Sequence, residues 1–444
     1  MLISSIISSV WEKSSIVVIG YDGYNLSPHP GENNPVITSE YTAVEINESD
    51  DLIDALRKLH TKVPLTGNTQ NDLFSLPDDL IRYLIAGIRN TPIIPKEFST
   101  LDWNTWISLL KPHRILPLLA YHINLWPGEC RPPPEIYDEL VDEFHSALVQ
   151  TMLTDRQLQF IMNGLAEVEI PTILLKGQSL ARTIYPDPAL RKSSDIDLLV
   201  LPEYMKQLEA VFETLGYSTP AHSFDISRFF YQEQIFFSPK KGLPVEGHWA
   251  IDCNFDIFQR EWLLYAFRDR ITIIEPNFRF DTLSYSHHLV YLAFHHIFQH
   301  DAITLSWIMD IAYLMKGLSE EEWAEICEDS VDNNIRISME YALLAASLWS
   351  GYPLPEKYED FTKWPGPSLK EQEIRRYAKS QGIHLTYFIH MMRALSNRKE
   401  KIRYLYRFII PPTGLLMEFR RSDSIFDLLC AHIRRWRSFS RHLK

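Results

Sequence analysis

The chain has 444 residues, of which 45% are hydrophobic, 23% charged and 12% aromatic, and its formal net charge is -13. That length holds about two or three domains with their own cores, and the apolar content excludes a disordered chain. The acidic balance excludes a protein that coats nucleic acid or anionic membrane with its whole surface, which requires a broadly positive field.

The opening MLISSIISSVW lacks a basic n-region and its apolar run is broken by serines, so it does not read as a signal peptide. No segment approaches the roughly 20 apolar residues needed to span a bilayer. The four cysteines, Cys130, Cys253, Cys327 and Cys430, stand far apart without CxxC or CxxH spacing and read as reduced thiols, which makes the cytoplasm the expected location.

Residues 1–70 form a segment of unassigned role. Within it SIVVIGYDGYNL predicts a strand and turn, and ESDDLIDALRKLH a short helix whose acidic start suits its dipole. Over 71–170, LPDDLIRYLIAGI, TLDWNTWISLLKPHRILPLLAYHI and PEIYDELVDEFHSALVQTMLTDRQLQFIMNGLAEV place apolar residues at three- and four-residue spacing, the mark of helices. The character changes at Pro171. PTILLKG predicts a strand ending in Gly177, DIDLLVL a strand stopped by Pro202, PEYMKQLEAVFETLGY a helix capped at Gly216, and QIFFSPKKGLPVEGHWAI a hairpin. These make 171–283 a small α/β core. From 284 to 444 the pattern is helical again and closes in a basic tail, with thirteen Lys or Arg against four Asp or Glu from Met392 to Lys444. The fold class is α+β, a small mixed-sheet core flanked by helical regions.

Chemistry concentrates in the core. In a strand alternate side chains share a face, so Asp195 and Asp197 are expected on one side of DIDLLV, and Glu246 and His248 on one side of VEGHW. Adjacent carboxylates repel unless a divalent cation lies between them, and Mg²⁺ takes oxygen ligands together with substrate phosphates. A strand-to-helix turn at Lys176 and Gly177 exposes backbone N–H groups suited to phosphate, with Lys176 and Arg191 adding positive charge. Taken alone, an Asp-x-Asp before an apolar run is ordinary turn chemistry. The helix YSHHLVYLAFHHIFQHDA carries five His; His296 and His300 are four apart, as zinc ligands can be, but no Glu stands in an HExxH position. A polar helix face lining a pocket is the better reading.

The run LLKGQSLARTIYPDPALRKSSDIDLLV resembles the signature of the uncharacterised nucleotidyltransferase family, within the polymerase-β-like nucleotidyltransferase superfamily. Lys176, Gly177, Tyr185, Arg191, Asp195 and Asp197 stand at the matching places. So do Glu246, His248 and Trp249 of a later Glu-x-His-Trp strand, and His295, His300 and Asp310 of a helix pair. The resemblance runs from about Leu76 to the C-terminus and is closest over 171–315.

The resemblance implies an Mg²⁺-dependent enzyme, with Mn²⁺ as the alternative ion, in which an acceptor hydroxyl attacks the α-phosphorus of a nucleoside triphosphate and releases pyrophosphate. It assigns Asp195, Asp197 and Glu246 to the metals and to catalysis, Asp252 being the other candidate for the third carboxylate. It assigns Lys176, Gly177, Gln178, Ser179, Arg191 and Ser194 to the nucleotide, and His248, His295, His300 and Asp310 to the substrate pocket. The wider superfamily usually has Ser directly after the phosphate-turn Gly, where this chain has Gln178 and then Ser179. A γ-phosphoryl transferase and a catalytically silent ligand- or partner-binding member are the alternatives on the same fold. The acceptor is left open among small molecule, peptide, glycan and RNA, and the basic tail keeps nucleic acid among the partners.

Overall fold

The computed structural model describes residues 16–20, 42–46, 52–66, 72–219, 233–239, 242–251, 260–299 and 303–372, and five positions between 398 and 406. His300, Asp252, Cys253, Cys430 and most of the basic tail lie outside the described residues.

The chain is α+β. Two short strands, β1 (Ile16–Gly20) and β2 (Thr42–Ile46), pair antiparallel. Helices α1 (Leu52–His60), α2 (Asp78–Arg89), α3 (Thr100–Leu110), α4 (Leu116–Asn124) and α5 (Pro134–Glu167) follow. Ser99 and Asp102 form a capping box at the start of α3, satisfying N–H groups that have no partner within the helix.

A six-stranded mixed sheet comes next, built from β3 (Thr172–Leu174), β4 (Ile196–Val200), β5 (Glu233–Phe236), β6 (Val245–His248), β7 (Ile271–Ile274) and β8 (Arg279–Thr282) in the order β5-β6-β4-β3-β8-β7. Strand β4 runs antiparallel to β3 and parallel to β6, and β3 runs parallel to β8. The predicted hairpin is β5–β6. A second hairpin, β7–β8, escapes the sequence reading because its short runs ITII and RFDT carry no long periodic pattern. Helices α6 (Lys176–Thr183), α7 (Met205–Thr214) and α8 (Arg260–Arg268) connect strands. Gly216 takes φ 82°, the left-handed conformation predicted after α7. Beyond the sheet lie α9 (Tyr285–Leu292), π-helical turns over Ala293–Gln299, α10 (Leu305–Gly317), α11 (Glu320–Asp332) and α12 (Arg336–Ser350).

Strand β4 is buried at every position because both faces of the sheet are covered. On one face Leu174, Ile196, Leu198, Val200 and Phe236 pack against Leu158, Ile161 and Leu165 of α5 and Leu208 and Phe212 of α7. Ile173 and Leu199 belong to the larger helical core, which joins residues before the sheet, such as Trp103 and Leu119, to residues after it, such as Phe294 and Leu343. The 34-residue α5 contributes Ile136 and Leu140 to the second cluster and Leu158 to Leu165 to the first, so one rigid rod spans both. Among the described residues no helix is long and apolar enough to cross a membrane.

Candidate active site

Strand parity and strand pairing together build the site. Strand β4 begins at Ile196, so alternation governs Asp197 and the apolar Ile196 and Leu198 but not Asp195, which lies in the turn just before it. Parallel pairing sets Asp197 directly beside Glu246, and Leu199 beside His248. One ligand atom each from Asp197, Glu246 and His248 lie within 4.8 Å of one another. His248 Nε2 is 3.1 Å from Asp197 Oδ1 and 3.5 Å from Glu246 Oε2, and its Nδ1 is 3.2 Å from Glu233 Oε2 on β5. The Asp197 side chain is 1% exposed and that of Glu246 is 21% exposed, so the site opens on the Glu246 side.

The turn from β3 into α6 brings the opposing charge. Lys176 Nζ lies 3.0 Å from Asp197 Oδ1 and 3.3 Å from His295 Nε2. Lys176 has φ 29°, a conformation disfavoured for a residue with a Cβ and costing on the order of 1–3 kcal/mol, which marks a position held for its direction. Its backbone N–H donates to His288 Nε2 at 3.1 Å. Helix α6 begins at Lys176, so β3 stops at Leu174 and Gly177 is in the first helical turn, a correction to the expected strand ending in Gly177. A Cβ at Gly177 would collide with Ser193 Oγ and sit 3.2 Å from Ser193 Cβ, so glycine is what lets the phosphate turn approach the loop before Asp195.

The charges respond to this packing. Burial pushes the Asp197 carboxyl up, but the Lys176 ammonium and His248 outweigh it and hold Asp197 well below the usual carboxylate range. Burial raises Asp195, the nearby Asp197 charge raises it further, and Lys176 offsets part of this. Burial alone would depress Lys176, yet Asp197, with Tyr291 and Asp195, holds it well above its ordinary value. Burial also opposes protonation of His248, and its hydrogen bonds to Asp197 and Glu246 and the Glu233 charge raise it to about 9. His288 is pushed down to about 3 by burial, so it is neutral and accepts from the Lys176 N–H.

Several side chains expected at the nucleotide are committed elsewhere. Arg191 is 3% exposed at its side chain and donates from Nε and Nη2 to Asp310 at 2.7 Å each, with Nη1 on the Lys192 carbonyl. Asp310 is fully buried and also accepts from Tyr185 OH at 2.8 Å. The pair therefore fastens the loop before β4 to α10, because two buried opposite charges are stable only when they satisfy each other. Ser179 Oγ is hydrogen-bonded to Thr282 Oγ1 on β8, and Gln178 Oε1 accepts from Arg182 Nη1 at 2.8 Å. Beyond the Lys176 N–H, which His288 accepts, the first-turn backbone N–H groups of α6 have no partner within the helix. Ser194 is exposed and lies 3.3 Å from Asp195 Oδ2.

Sequence reasoning missed Glu233, His288, Tyr291 and Arg114. Glu233 is opposite His248 in the β5–β6 register, a signal that alternation in EQIF carries. Tyr291 packs at 5.6 Å on His295, one turn after His288. Arg114 donates to Ser194 Oγ at 3.4 Å from outside the sheet, and nothing local in KPHRIL announces it.

A lysine at a strand-to-helix turn lies against a carboxylate whose neighbour on the adjoining strand is a second one, a group of side chains that could hold a metal ion. Residues 99–351, which contain all of these groups, match the family described as uncharacterised nucleotidyltransferase, and the chain belongs to that family. The match leaves out the first 98 residues and the basic tail. No curated protein matches the chain.

Proposed function

We propose that the protein transfers a nucleoside monophosphate from a nucleoside triphosphate to an acceptor hydroxyl, releasing pyrophosphate. The observation that carries this reading is the pairing of Asp197 with Glu246 on parallel strands, opposite the Lys176 turn.

The donor set fits Mg²⁺ through its carboxylate oxygens: Asp197 and Glu246 lie side by side, and the His248 Nε2 is taken up by those carboxylates and so is not a free imidazole donor. Asp197 and Glu246, with Asp195 in the turn before β4, would hold the metal. When bound, Mg²⁺ supplies charge neutralisation at the phosphates and acidifies the attacking hydroxyl. Lys176 and the first-turn N–H groups of α6 hold the phosphates and favour the charge that accumulates on the leaving pyrophosphate. The acceptor oxygen forms the new bond to the α-phosphorus as the bond to pyrophosphate breaks, and the hydroxyl proton passes to the Glu246 carboxylate, which is more solvent-facing than Asp197. His248, bridging Glu233, Asp197 and Glu246, fixes the carboxylates in orientation. The acceptor class stays open among small molecule, peptide, glycan and RNA.

The test is mass spectrometry of candidate acceptors after incubation with labelled triphosphate and Mg²⁺. Wild type adds a nucleotidyl mass and releases pyrophosphate, and Asp197→Asn and Glu246→Gln lose at least about a hundredfold in rate. Equal labelling by wild type and variants overturns the assignment of these carboxylates. Nucleoside diphosphate as product makes the reaction a phosphoryl transfer instead.

A further inference from the structure

Helix α9 presents neighbouring histidines to two different places. His288 supports the Lys176 turn, whereas His287 faces α11 across a cavity of about 300 Å³ that Glu325, Asp329, Trp262 and Arg268 also line. His287 is 3% exposed. Its Nδ1 is 2.7 Å from the Oγ of Ser284, the N-cap of α9, and the ring meets Trp262 edge-on at 5.4 Å, so its plane is fixed.

Glu325 and Asp329 are four residues apart on α11 and so project from the same side of it. One ligand atom each from His287, Glu325 and Asp329 lie within 4.8 Å of one another. Two carboxylates this close repel unless a cation joins them. Arg268, the cation lining the same cavity, is committed to Asp269 through bonds of 2.6 and 2.7 Å and lies over the Tyr265 ring.

We propose that His287, Glu325 and Asp329 form a second metal site, separate from the nucleotidyltransfer carboxylates, which takes one transition-metal dication of the Zn²⁺ class and ties α9 to α11. An imidazole nitrogen with two carboxylate oxygens suits Zn²⁺, whereas Mg²⁺ prefers oxygen alone. Zinc bonds of about 2.0–2.2 Å require ligand atoms roughly 3–4 Å apart, which small side-chain rotations supply here. The hydrogen bond at Nδ1 is the kind of outer contact that orients a metal-bound histidine and leaves Nε2 for the metal. Because α9 also carries His288, which accepts from the Lys176 N–H, a metal here braces the wall of the transfer site without contacting substrate.

The test is equilibrium dialysis of the full chain against Zn²⁺, with bound metal counted by elemental analysis and thermal unfolding followed with and without Zn²⁺. Relative to wild type, Glu325→Gln/Asp329→Asn and His287→Gln each bind one equivalent less, and the Zn²⁺-dependent rise in melting temperature disappears in both. The paired carboxylate variant alters only the cavity-facing side chains of α11, so it decides the matter even if His287→Gln fails to fold. Binding of the same number of equivalents, with affinity within about twofold of wild type, by a natively folded Glu325→Gln/Asp329→Asn variant overturns the site. Loss in that variant but not in a folded His287→Gln overturns the role of the imidazole.

Discussion

Replacing Asp310 by Asn tests whether Arg191 serves the fold or the nucleotide. Asp310 is fully buried, and Arg191 grips it through two donors at 2.7 Å while Tyr185 OH donates to the same carboxylate at 2.8 Å. The amide keeps the volume but leaves the Arg191 charge uncompensated away from water, a loss of about 3–5 kcal/mol. Urea unfolding of the full chain reads this directly. With a denaturant slope of a few kcal/mol per molar, the midpoint falls by about 1–2 M. The double variant Arg191→Met/Asp310→Leu removes both charges and recovers most of the loss, because apolar replacement of a whole buried ion pair is often neutral. Arg191→Met alone behaves like Asp310→Asn. The reasoning is refuted if the two single losses simply add in the double variant. It is equally refuted if Arg191→Met unfolds like wild type while only its KM for triphosphate rises, the behaviour of a phosphate-contacting arginine.

The remaining predictions concern the candidate site. His248 is raised to about 9, so its protonation stabilises the native state fully below its unfolded value near 6.5, and this contribution is lost as pH rises through 9. Unfolding free energies from urea titrations at pH 6 to 10 therefore fall by up to roughly 1.4 kcal/mol per pH unit, and His248→Gln flattens that slope. Gly177→Ala drives a methyl group into Ser193 Oγ, costs about 1–3 kcal/mol and slows transfer; adding Ser193→Ala removes the colliding oxygen and restores part of both, as unfolding and labelling assays report. Full activity of Gly177→Ala alone contradicts the close approach.

Much of the fold was legible in the sequence because periodicity is local. Helices α2 to α5 follow from apolar residues every three or four positions, β4 from an unbroken apolar run, and the cap after α7 from Gly216. The hairpin β7–β8 was not legible, since four-residue strands are stabilised by their neighbours in the sheet, here β3, more than by their own composition.

The candidate site divides along the same line. The sequence by itself determined which residue types gather near the sheet: a lysine at a turn, an Asp-x-Asp, a Glu-x-His and a histidine-rich helix, each set by spacing along one element. Only the tertiary structure decided which of them meet. Strand pairing, which joins residues 49 apart, put Asp197 beside Glu246 and left Asp195 in the preceding turn. Burial paired Arg191 with Asp310, 119 residues away, because a guanidinium removed from water must find an opposite charge wherever the fold supplies one. No spacing rule along the chain contains that requirement; it arises when two helical regions close over the sheet.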